Sequence, residues 1–300
     1  MKCGLEIHQQ LEGRKLFSNA PTHINDDHDQ HTEVHRRLRA VIGETGAIDQ
    51  AAAQEQLRSK TYIYRAYPKT VSLVELDEEP PHLMDEQALY TTLQVAKLLH
   101  ADIVDEIQIM RKTVVDGSNT SGFQRTALIA RNGWIDTSQG RVHIPSICLE
   151  EDAAKIVERT AEYDIYNLSR LGIPLIEITT APDIVSSEHC HEVAAQIGMI
   201  LRSTGRVKRG LGTIRQDVNI SIPKGNRIEI KGAQDLSQLS TLCAFEVQRQ
   251  ETLLSLSLSK ATLAQGKDIT HMLKDTTCAF IAKAIKRKDI VWGIPAKHLK

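Results

Sequence analysis

Apolar and polar residues alternate with a period of two in five segments of the chain, and this pattern predicts β-strands. In the first segment Leu5 and Ile7 share one side, while Glu6 and His8 share the other. The five segments are GLEIHQQL (4–11), SICLEED (146–152), PLIEIT (174–179), QDVNISI (216–222) and RIEIK (227–231). Each has one apolar side, and the opposite sides carry carboxylates mixed with arginine, lysine and one histidine. The alternation in SICLEED is less regular, which leaves the direction of Glu151 open.

Three longer segments have apolar residues at helical spacing. The first follows Pro80-Pro81, the second runs from about residue 187 to residue 203, and the third runs from about residue 235 to about residue 258. The predicted core faces of the first two are Leu89, Leu93, Ala96 and Leu99, and Val193, Ile197, Ile200 and Leu201. Residues 116–123 (DGSNTSGF) are rich in turn formers and predict a tight loop. Together these elements favour an antiparallel sheet with helices against its apolar side.

The polar side of the predicted strands has two interpretations. In the first, it is an ordinary solvated face on which charges of both signs alternate. In the second, it binds a highly charged substrate: carboxylates and one histidine suit a hard divalent cation such as Mg²⁺ or Mn²⁺, and arginine and lysine suit phosphate. Carboxylates, a metal and basic groups together are what phosphoryl transfer requires. The chain contains neither a P-loop nor a G-x-G-x-x-G motif, so an ATP site would belong to another type.

Composition narrows the class of protein. Hydrophobic residues make up 41% of the chain and charged residues 25%, which are values typical of a globular protein. Because 37 basic residues face 38 acidic ones, the net charge offers no field that would recruit DNA or another nucleic acid. The five cysteines are scattered singly, which argues against a disulfide framework and against a thiolate zinc site. Without an apolar leader or a run of membrane-spanning length, we expect a cytoplasmic protein that does not enter a membrane.

Seven motifs identify a family. They occur in this order: GLEIHQQL, VELDEEPP, DGSNTSGFQRT, LEEDA, YNLSRLGIPLIEI, GTIRQDVNISI and EIKGAQ. Together they resemble the B/E subunit family of the glutamyl-tRNA(Gln) amidotransferases, in particular the archaeal E subunit, from the first residues to about residue 280. The resemblance implies an α+β fold: a cradle built on a twisted antiparallel sheet with helices on one face, similar to glutamine synthetase and the guanidino kinases.

The resemblance also implies an activity, an ATP-dependent transamidation. The side-chain carboxylate of glutamate misacylated on tRNA(Gln) is phosphorylated by ATP, and ammonia then displaces the phosphate. Phosphorylation is needed because a carboxylate has no leaving group, whereas an acyl phosphate has one. The implied cofactors are ATP and Mg²⁺, or Mn²⁺ in its place. The implied partners are Glu-tRNA(Gln) and the asparaginase-like D subunit, which delivers ammonia through a tunnel.

Site residues are implied by the same motifs. The expected metal ligands are His8, Glu177 and one of Glu150 and Glu151, with Glu6 and Asp217 close to them. The expected phosphate-binding residues are Arg215, Lys231 and Lys155, and the expected contacts to the nucleotide or acyl phosphate are Ser118, Asn119 and Ser121. Other roles stay open at this point, since His8 beside Glu6 is also what a satisfied core histidine would look like, and Lys155 could simply be exposed.

The chain departs from the family in two respects. Ser18 and Ala20 stand where family members commonly have cysteines, so a thiolate metal site there is not expected. The family's chain is about twice as long, which leads us to expect a catalytic cradle over residues 1–275 and the start of a truncated insertion domain or tail over 276–300, with poor binding of tRNA. A small-carboxylate ligase and a non-catalytic scaffold that binds the D subunit are the alternatives, and the intact acidic motifs argue against the scaffold.

Overall fold

The structure is a computed structural model that describes residues 1–37, 39–40, 42, 46–255 and 266–294. The strands are β1 (Lys2–Gln10), β2 (Thr32–Arg37), β3 (Thr61–Ala66), β4 (Asp102–Ile103), β5 (Ile109–Thr113), β6 (Phe123–Thr137), β7 (Gly140–Glu151), β8 (Lys155–Arg159), β9 (Tyr163–Asn167), β10 (Pro174–Thr179), β11 (Ile214–Ser221), β12 (Ile228–Ile230), β13 (Lys267–Asp268) and β14 (Trp292–Gly293). The helices are α1 (Gln50–Leu57), α2 (Glu86–Leu98), α3 (Ser187–Ser203), α4 (Leu236–Ser255) and α5 (Ala279–Lys286), with a 3-10 turn at Thr270–Leu273.

The largest sheet is antiparallel and has eight strands. Its order is β12-β11-β1-β10-β7-β6-β4, and β5 also pairs with β6. Strand β1 lies in the middle, where His8 is directly opposite Glu177 on β10 and Arg215 on β11. Because residues directly opposite each other in a ladder point to the same face, this register places the polar residues of several strands side by side.

Helices α2, α3 and α4 cover the apolar face of this sheet. Ile7, Ile176 and Val218 are fully buried in the same core cluster as Val95 of α2 and Ile197 of α3. Asp85 and Ser186 cap the N-termini of α2 and α3 by accepting hydrogen bonds from backbone N–H groups, as side chains of these types commonly do. The period-two pattern therefore assigns the buried face of the central strands correctly.

The three predicted helices lie where their periodicity indicates, with one correction. The second predicted helix has the bounds of α3, and the third begins one residue later than expected and is described as far as Ser255, so that 256–258 lie outside the described residues. In α2 the fully buried positions include Thr91, Thr92 and Val95, whereas Leu89 and Leu93 are only partly buried. The buried face of α2 is thus shifted toward the two threonines. Their hydroxyls donate hydrogen bonds to backbone carbonyls of the preceding turn, so burying them costs little free energy.

A second sheet has the order β2-β3-β9-β8 and contains a parallel pair, β3 with β9. The Tyr64 hydroxyl donates to the carbonyl of Gly117 at 2.8 Å, which ties the 116–123 loop to this sheet. Gly117 has a φ of +81°, and a Cβ atom there would lie 2.5 Å from the ring of Tyr62. The loop therefore requires glycine at this position for both its backbone conformation and its close approach to the sheet.

By compactness the chain divides into Met1–Glu251, which contains both sheets, and Thr252–Lys300. In the second unit the described elements include the short β13–β14 pair and helix α5. The division expected at 275/276 followed from the domain order of the family and stays a prediction, as does the likeness to glutamine synthetase. None of the helices among the described residues combines the length and the apolar character needed to cross a bilayer.

Candidate active site

Three carboxylates surround the imidazole of His8 on the polar face of the large sheet. The Nε2 atom of His8 lies 3.6 Å from Glu6 Oε1, 3.5 Å from Glu150 Oε1 and 3.5 Å from Glu177 Oε2. These residues come from three neighbouring strands, β1, β10 and β7, whose motifs are far apart in the sequence. The structure thus brings together four of the residues that the family resemblance implies, and we call them the His8 cluster.

The residues of the His8 cluster shift one another's pKa values. The hydrogen bond with His8 lowers the pKa of Glu177 to about 2. Burial, followed by the charge of Glu177, raises the pKa of Glu150 and that of Glu6. Burial alone would lower the pKa of His8, but the hydrogen bond with Glu177 and the carboxylate charges outweigh burial and raise it. Such mutual shifts indicate that these charges are close together and partly buried.

Lys112 and Thr126 belong to this site, and the sequence analysis missed both. The Lys112 ammonium lies 2.7 Å from Glu150 Oε2 and 3.5 Å from Glu177 Oε2, and the Thr126 hydroxyl donates to Glu150 Oε2 at 3.1 Å. Lys112 lies on β5, where every residue is exposed, so its strand has no apolar side that periodicity could detect. Thr126 is directly opposite Glu150 in the β6–β7 ladder, a pairing that only the register reveals.

Of the two adjacent glutamates, Glu150 lies in the cluster and Glu151 does not. Successive side chains of a strand point to opposite faces, and Glu150 takes the same face as Glu177. The Glu151 carboxylate instead lies 3.1 Å from the guanidinium of Arg125, and it is almost fully buried. Glu151 was one of the two alternatives for a metal ligand, and its direction in the strand is the physical reason why it contacts Arg125 instead.

The geometry of the His8 cluster suits a divalent cation. Two ligand atoms that bind one cation at right angles, each about 2.0–2.6 Å away, are about 2.8–3.7 Å apart. The three separations of 3.5–3.6 Å around His8 Nε2 fall in this range. The ligand atoms of Glu6, His8 and Glu177 all lie within 4.8 Å of one another. One imidazole and several carboxylates form a donor set appropriate to Mg²⁺ or Mn²⁺.

The other expected catalytic residues lie beside the cluster on β11 and just past β12, and each is paired. Asp217 is directly opposite Glu6 and accepts hydrogen bonds from the Lys231 ammonium at 3.1 Å and from the Gly232 N–H at 2.9 Å. Arg215 donates to Asp152 at 2.9 Å. The two basic groups are therefore held in place by carboxylates, and among the described residues neither forms a hydrogen bond or an ion pair with the His8 cluster.

The expected nucleotide-binding residues fall into two places. Ser118 and Ser121 donate hydrogen bonds within their own loop, to Asp116 and to the carbonyl of Phe123, and so shape it. Asn119 and Ser121 also line a cavity of about 280 Å³. Its other lining residues include three arginines that the sequence analysis did not select, Arg36, Arg37 and Arg39. Lys155 lies on β8 of the second sheet, where its ammonium pairs with Asp27 at 2.8 Å.

Comparison with known proteins identifies the family. Residues 1–288 match the GatB/GatE catalytic domain. The chain belongs to this family. It is 50% identical to the E subunit of the glutamyl-tRNA(Gln) amidotransferase of Methanococcus maripaludis strain C7 over 300 residues, which cover 98% of this chain and 47% of that relative. The corresponding subunits of Methanocaldococcus jannaschii and Methanosarcina barkeri are each 50% identical, over 96% and 100% of this chain and 47% and 48% of their own lengths.

The family prediction made from the seven motifs is thus confirmed. The chain spans about half the length of the curated relatives it matches. Within this GatB/GatE chain, each residue of the His8 cluster comes from one of those motifs: Glu6 and His8 from GLEIHQQL, Glu150 from LEEDA, and Glu177 from YNLSRLGIPLIEI. Some of these motifs are more than a hundred residues apart in the sequence. They nevertheless meet on adjacent strands, as a shared site requires.

A second group of buried charges lies near Glu151. Lys15 is fully buried, and its ammonium donates to the carbonyl of Leu168 at 3.2 Å and lies 3.7 Å from Glu75. The Glu75 carboxylate also accepts a hydrogen bond of 2.6 Å from Ser18, at a position where the GatB/GatE resemblance led us to note a missing cysteine. Burial lowers the pKa of Lys15 to about 8.

This pKa predicts how stability depends on pH. The pKa of Lys15 is lower in the folded chain than in the unfolded chain, where it is about 10.4, so between these values the unfolded chain binds more protons. The free energy of unfolding should therefore gain on the order of 3 kcal/mol from Lys15 as the pH rises through this window, and lose it as the pH falls to 8. Urea unfolding of the wild type and of Lys15→Met between pH 7.5 and roughly 10.5 measures this, and equal slopes in the two proteins would contradict it.

Three of the five cysteines lie closer together than their positions in the sequence suggest. Their single, scattered positions argued against a thiolate site, but Cys3, Cys190 and Cys243 meet in the core, and their sulfur atoms all lie within 4.8 Å of one another. Cys148 and Cys278 are separate from this group; Cys148 is buried and Cys278 is exposed. Spacing in the sequence did not reveal the group because its members come from β1, α3 and α4, which the fold packs together.

Proposed function

We propose that this chain carries out ATP-dependent transamidation of glutamate misacylated on tRNA(Gln). A side-chain carboxylate oxygen of the glutamyl group attacks the terminal phosphorus of ATP, and ADP leaves. Ammonia then attacks the acyl carbon, phosphate leaves, and the amide of glutaminyl-tRNA(Gln) forms. The observation that carries this proposal is the His8 cluster, in which three carboxylates converge on one imidazole beside basic groups. The names of the relatives support the choice of substrate.

Each residue of the cluster has a part in this chemistry. Glu6, His8, Glu150 and Glu177 would hold Mg²⁺ or Mn²⁺, and the bound cation supplies positive charge next to the phosphate oxygens. Lys112 lies between Glu150 and Glu177 and adds a positive charge at the same place. Arg215 and Lys231, both held by carboxylates, would meet the phosphate oxygens as negative charge develops there. Catalysis in this proposal rests on positioning and on charge neutralisation.

The nucleotide phosphates would bind beside the 116–123 loop. Arg36, Arg37 and Arg39 line the same cavity as Asn119 and Ser121, so guanidinium groups and small polar groups meet there. Arginine donors suit phosphate because their planar forks bind two oxygens at once. The expectation from the family, that this loop contacts the nucleotide or the acyl phosphate, agrees with such a lining. Lys155, which is paired with Asp27, has the weakest support among the expected nucleotide contacts.

Ammonia has to come from a partner in this scheme, and we propose the asparaginase-like D subunit for that role, in a cytoplasmic complex. The relatives are named as one subunit of an amidotransferase, which implies an assembly of more than one kind of chain. The whole reaction is therefore best tested in the reconstituted heteromer.

Metal-dependent ATP binding is the first test of this proposal. Calorimetric titration of the chain with a non-hydrolysable ATP analogue should show binding with Mg²⁺ or Mn²⁺ present and much weaker binding in EDTA, because the cation neutralises part of the phosphate charge beside the carboxylates. If binding is the same with and without metal, the His8 cluster does not hold a cation for ATP. In the heteromer, ADP formation that needs Glu-tRNA(Gln) supports transamidation, whereas equal rates with free glutamate would support a small-carboxylate ligase.

The arginine cavity gives a second prediction. Arg37→Gln should weaken ATP-analogue binding by about 10–100-fold, because a hydrogen bond to a charged group contributes about 1.5–3 kcal/mol. Arg141→Gln is the matched control, since Arg141 pairs with Asp136 at the β6–β7 hairpin and lies outside the cavity lining. The control should bind as the wild type does. Unchanged affinity in Arg37→Gln, or an equal loss in both variants, would remove the cavity from the proposed nucleotide site.

A further inference from the structure

Strand β1 and helices α3 and α4 each contribute one cysteine to a group of three thiols in the protein core. Cys3, Cys190 and Cys243 are each fully buried, and the sulfur atoms of Cys3 and Cys190 are 3.8 Å apart. The sulfur of Cys3 also lies 3.9 Å from the carbonyl oxygen of Gly4. The three side chains thus point at one another from a strand and two helices, with apolar residues of the main core around them.

The spacing of these sulfur atoms is that of ligands to one metal ion. Three thiolates bound to a single ion at about 2.3 Å are about 3.8–4.0 Å apart, whether the angles between the bonds are tetrahedral or trigonal. The observed 3.8 Å between Cys3 and Cys190, and the limit of 4.8 Å for all three pairs, fit this arrangement.

We propose that Cys3, Cys190 and Cys243 form a buried binding site for one soft d¹⁰ cation, Cu(I) or Zn(II), that joins β1 to α3 and α4. Thiolates are the protein ligands that select such ions. Among the described residues, no fourth ligand group joins these three sulfur atoms. An ion that accepts three ligands therefore suits the site. Because the site joins three elements that are distant in sequence, an ion there stabilises the folded chain and not the unfolded one. This role is structural and is independent of the proposed transamidation.

The test uses the whole 300-residue chain, purified under reducing conditions and loaded with Cd²⁺, Zn²⁺ or Cu(I) during refolding. We expect one tightly bound equivalent, the ultraviolet charge-transfer absorption of cadmium thiolates, three sulfur neighbours in X-ray absorption, and a higher melting temperature in the loaded protein. Comparing Zn²⁺ with Cu(I) in competition identifies the preferred ion. Sulfur coordination is measured on the wild type, so this result does not depend on a variant that folds.

Three variants locate the binding. Cys190→Ala removes one of the three proposed ligands. It should weaken Cd²⁺ binding by roughly 10–100-fold or more, because replacing a residue that only supports a ligand already has an effect of this size. Cys278→Ala, which removes the exposed thiol, should leave the absorption unchanged, and so should Glu177→Gln, which alters the His8 cluster. The proposal is overturned if the bound ion has no sulfur neighbours, if the absorption disappears in Cys278→Ala or Glu177→Gln, or if mild oxidation converts two of the three thiols to a disulfide in metal-loaded protein.

Discussion

Replacing Ile176 by aspartate is expected to unfold the first unit of the chain. Ile176 is fully buried on β10, in the core cluster between the large sheet and its helices. The substitution removes a buried aliphatic side chain and puts an unpaired charge in its place. Together these changes should cost about 5 kcal/mol or more, which approaches the whole stability of about 5–15 kcal/mol of a typical domain.

The control at the same position is Ile176→Val, which removes one methylene and should cost only about 0.5–1.5 kcal/mol. Thermal melts and urea unfolding of both variants provide the measurement. A folded Ile176→Asp protein with a melting temperature near that of the wild type would mean that the faces of β10 have been assigned the wrong way round.

Replacing the next residue, Glu177, by glutamine is expected to have the opposite result. The Glu177 side chain points to the polar face, where its carboxylate lies 3.5 Å from His8 Nε2 and from the Lys112 ammonium. Glutamine has nearly the same shape, so the fold should remain. The lost negative charge should weaken Mn²⁺ binding, and with it any activity that depends on metal, by about 10–100-fold or more.

The matched control is Glu229→Gln, which makes the same chemical change on β12. Glu229 lies on the same sheet but pairs with Lys231 and is exposed, so Mn²⁺ affinity should be retained. Electron paramagnetic resonance of free Mn²⁺ gives the affinities, and melting curves show whether each variant is folded. If Glu177→Gln binds Mn²⁺ as tightly as the wild type, Glu177 is not a ligand. If it melts far earlier, its role lies in folding.

Much of the central sheet could be predicted from the sequence, because strand periodicity reports which side of a strand is buried. The apolar partners of Glu177 and Asp217, Ile176 and Val218, are fully buried, as alternation requires. Helix α3 could also be predicted, since its apolar stripe and the glycine that follows its end, Gly205, are local signals. The seven motifs also sufficed to identify the family.

Other features of the site could not be read from local patterns. The alternation in SICLEED left the direction of Glu151 open, and the family resemblance left Glu150 and Glu151 as alternative ligands; pairing with β10 shows that Glu150 faces His8. Lys112 lies on a strand with no buried side, so no periodicity selects it. The second sheet, with its parallel β3–β9 pair, escaped prediction because such pairing depends on contacts about a hundred residues apart.

The sequence by itself determined the family, the apolar and polar faces of the central strands, and the kinds of chemical group that a site on the polar face would offer. These properties depend on residue type and spacing, which are local. Only the tertiary structure decided which groups meet. The register of β1 with β10 places Glu177 opposite His8, and the packing of α3 and α4 on the sheet brings Cys190 and Cys243 to Cys3. Register and packing are set by the whole core at once, so no single segment of sequence contains them.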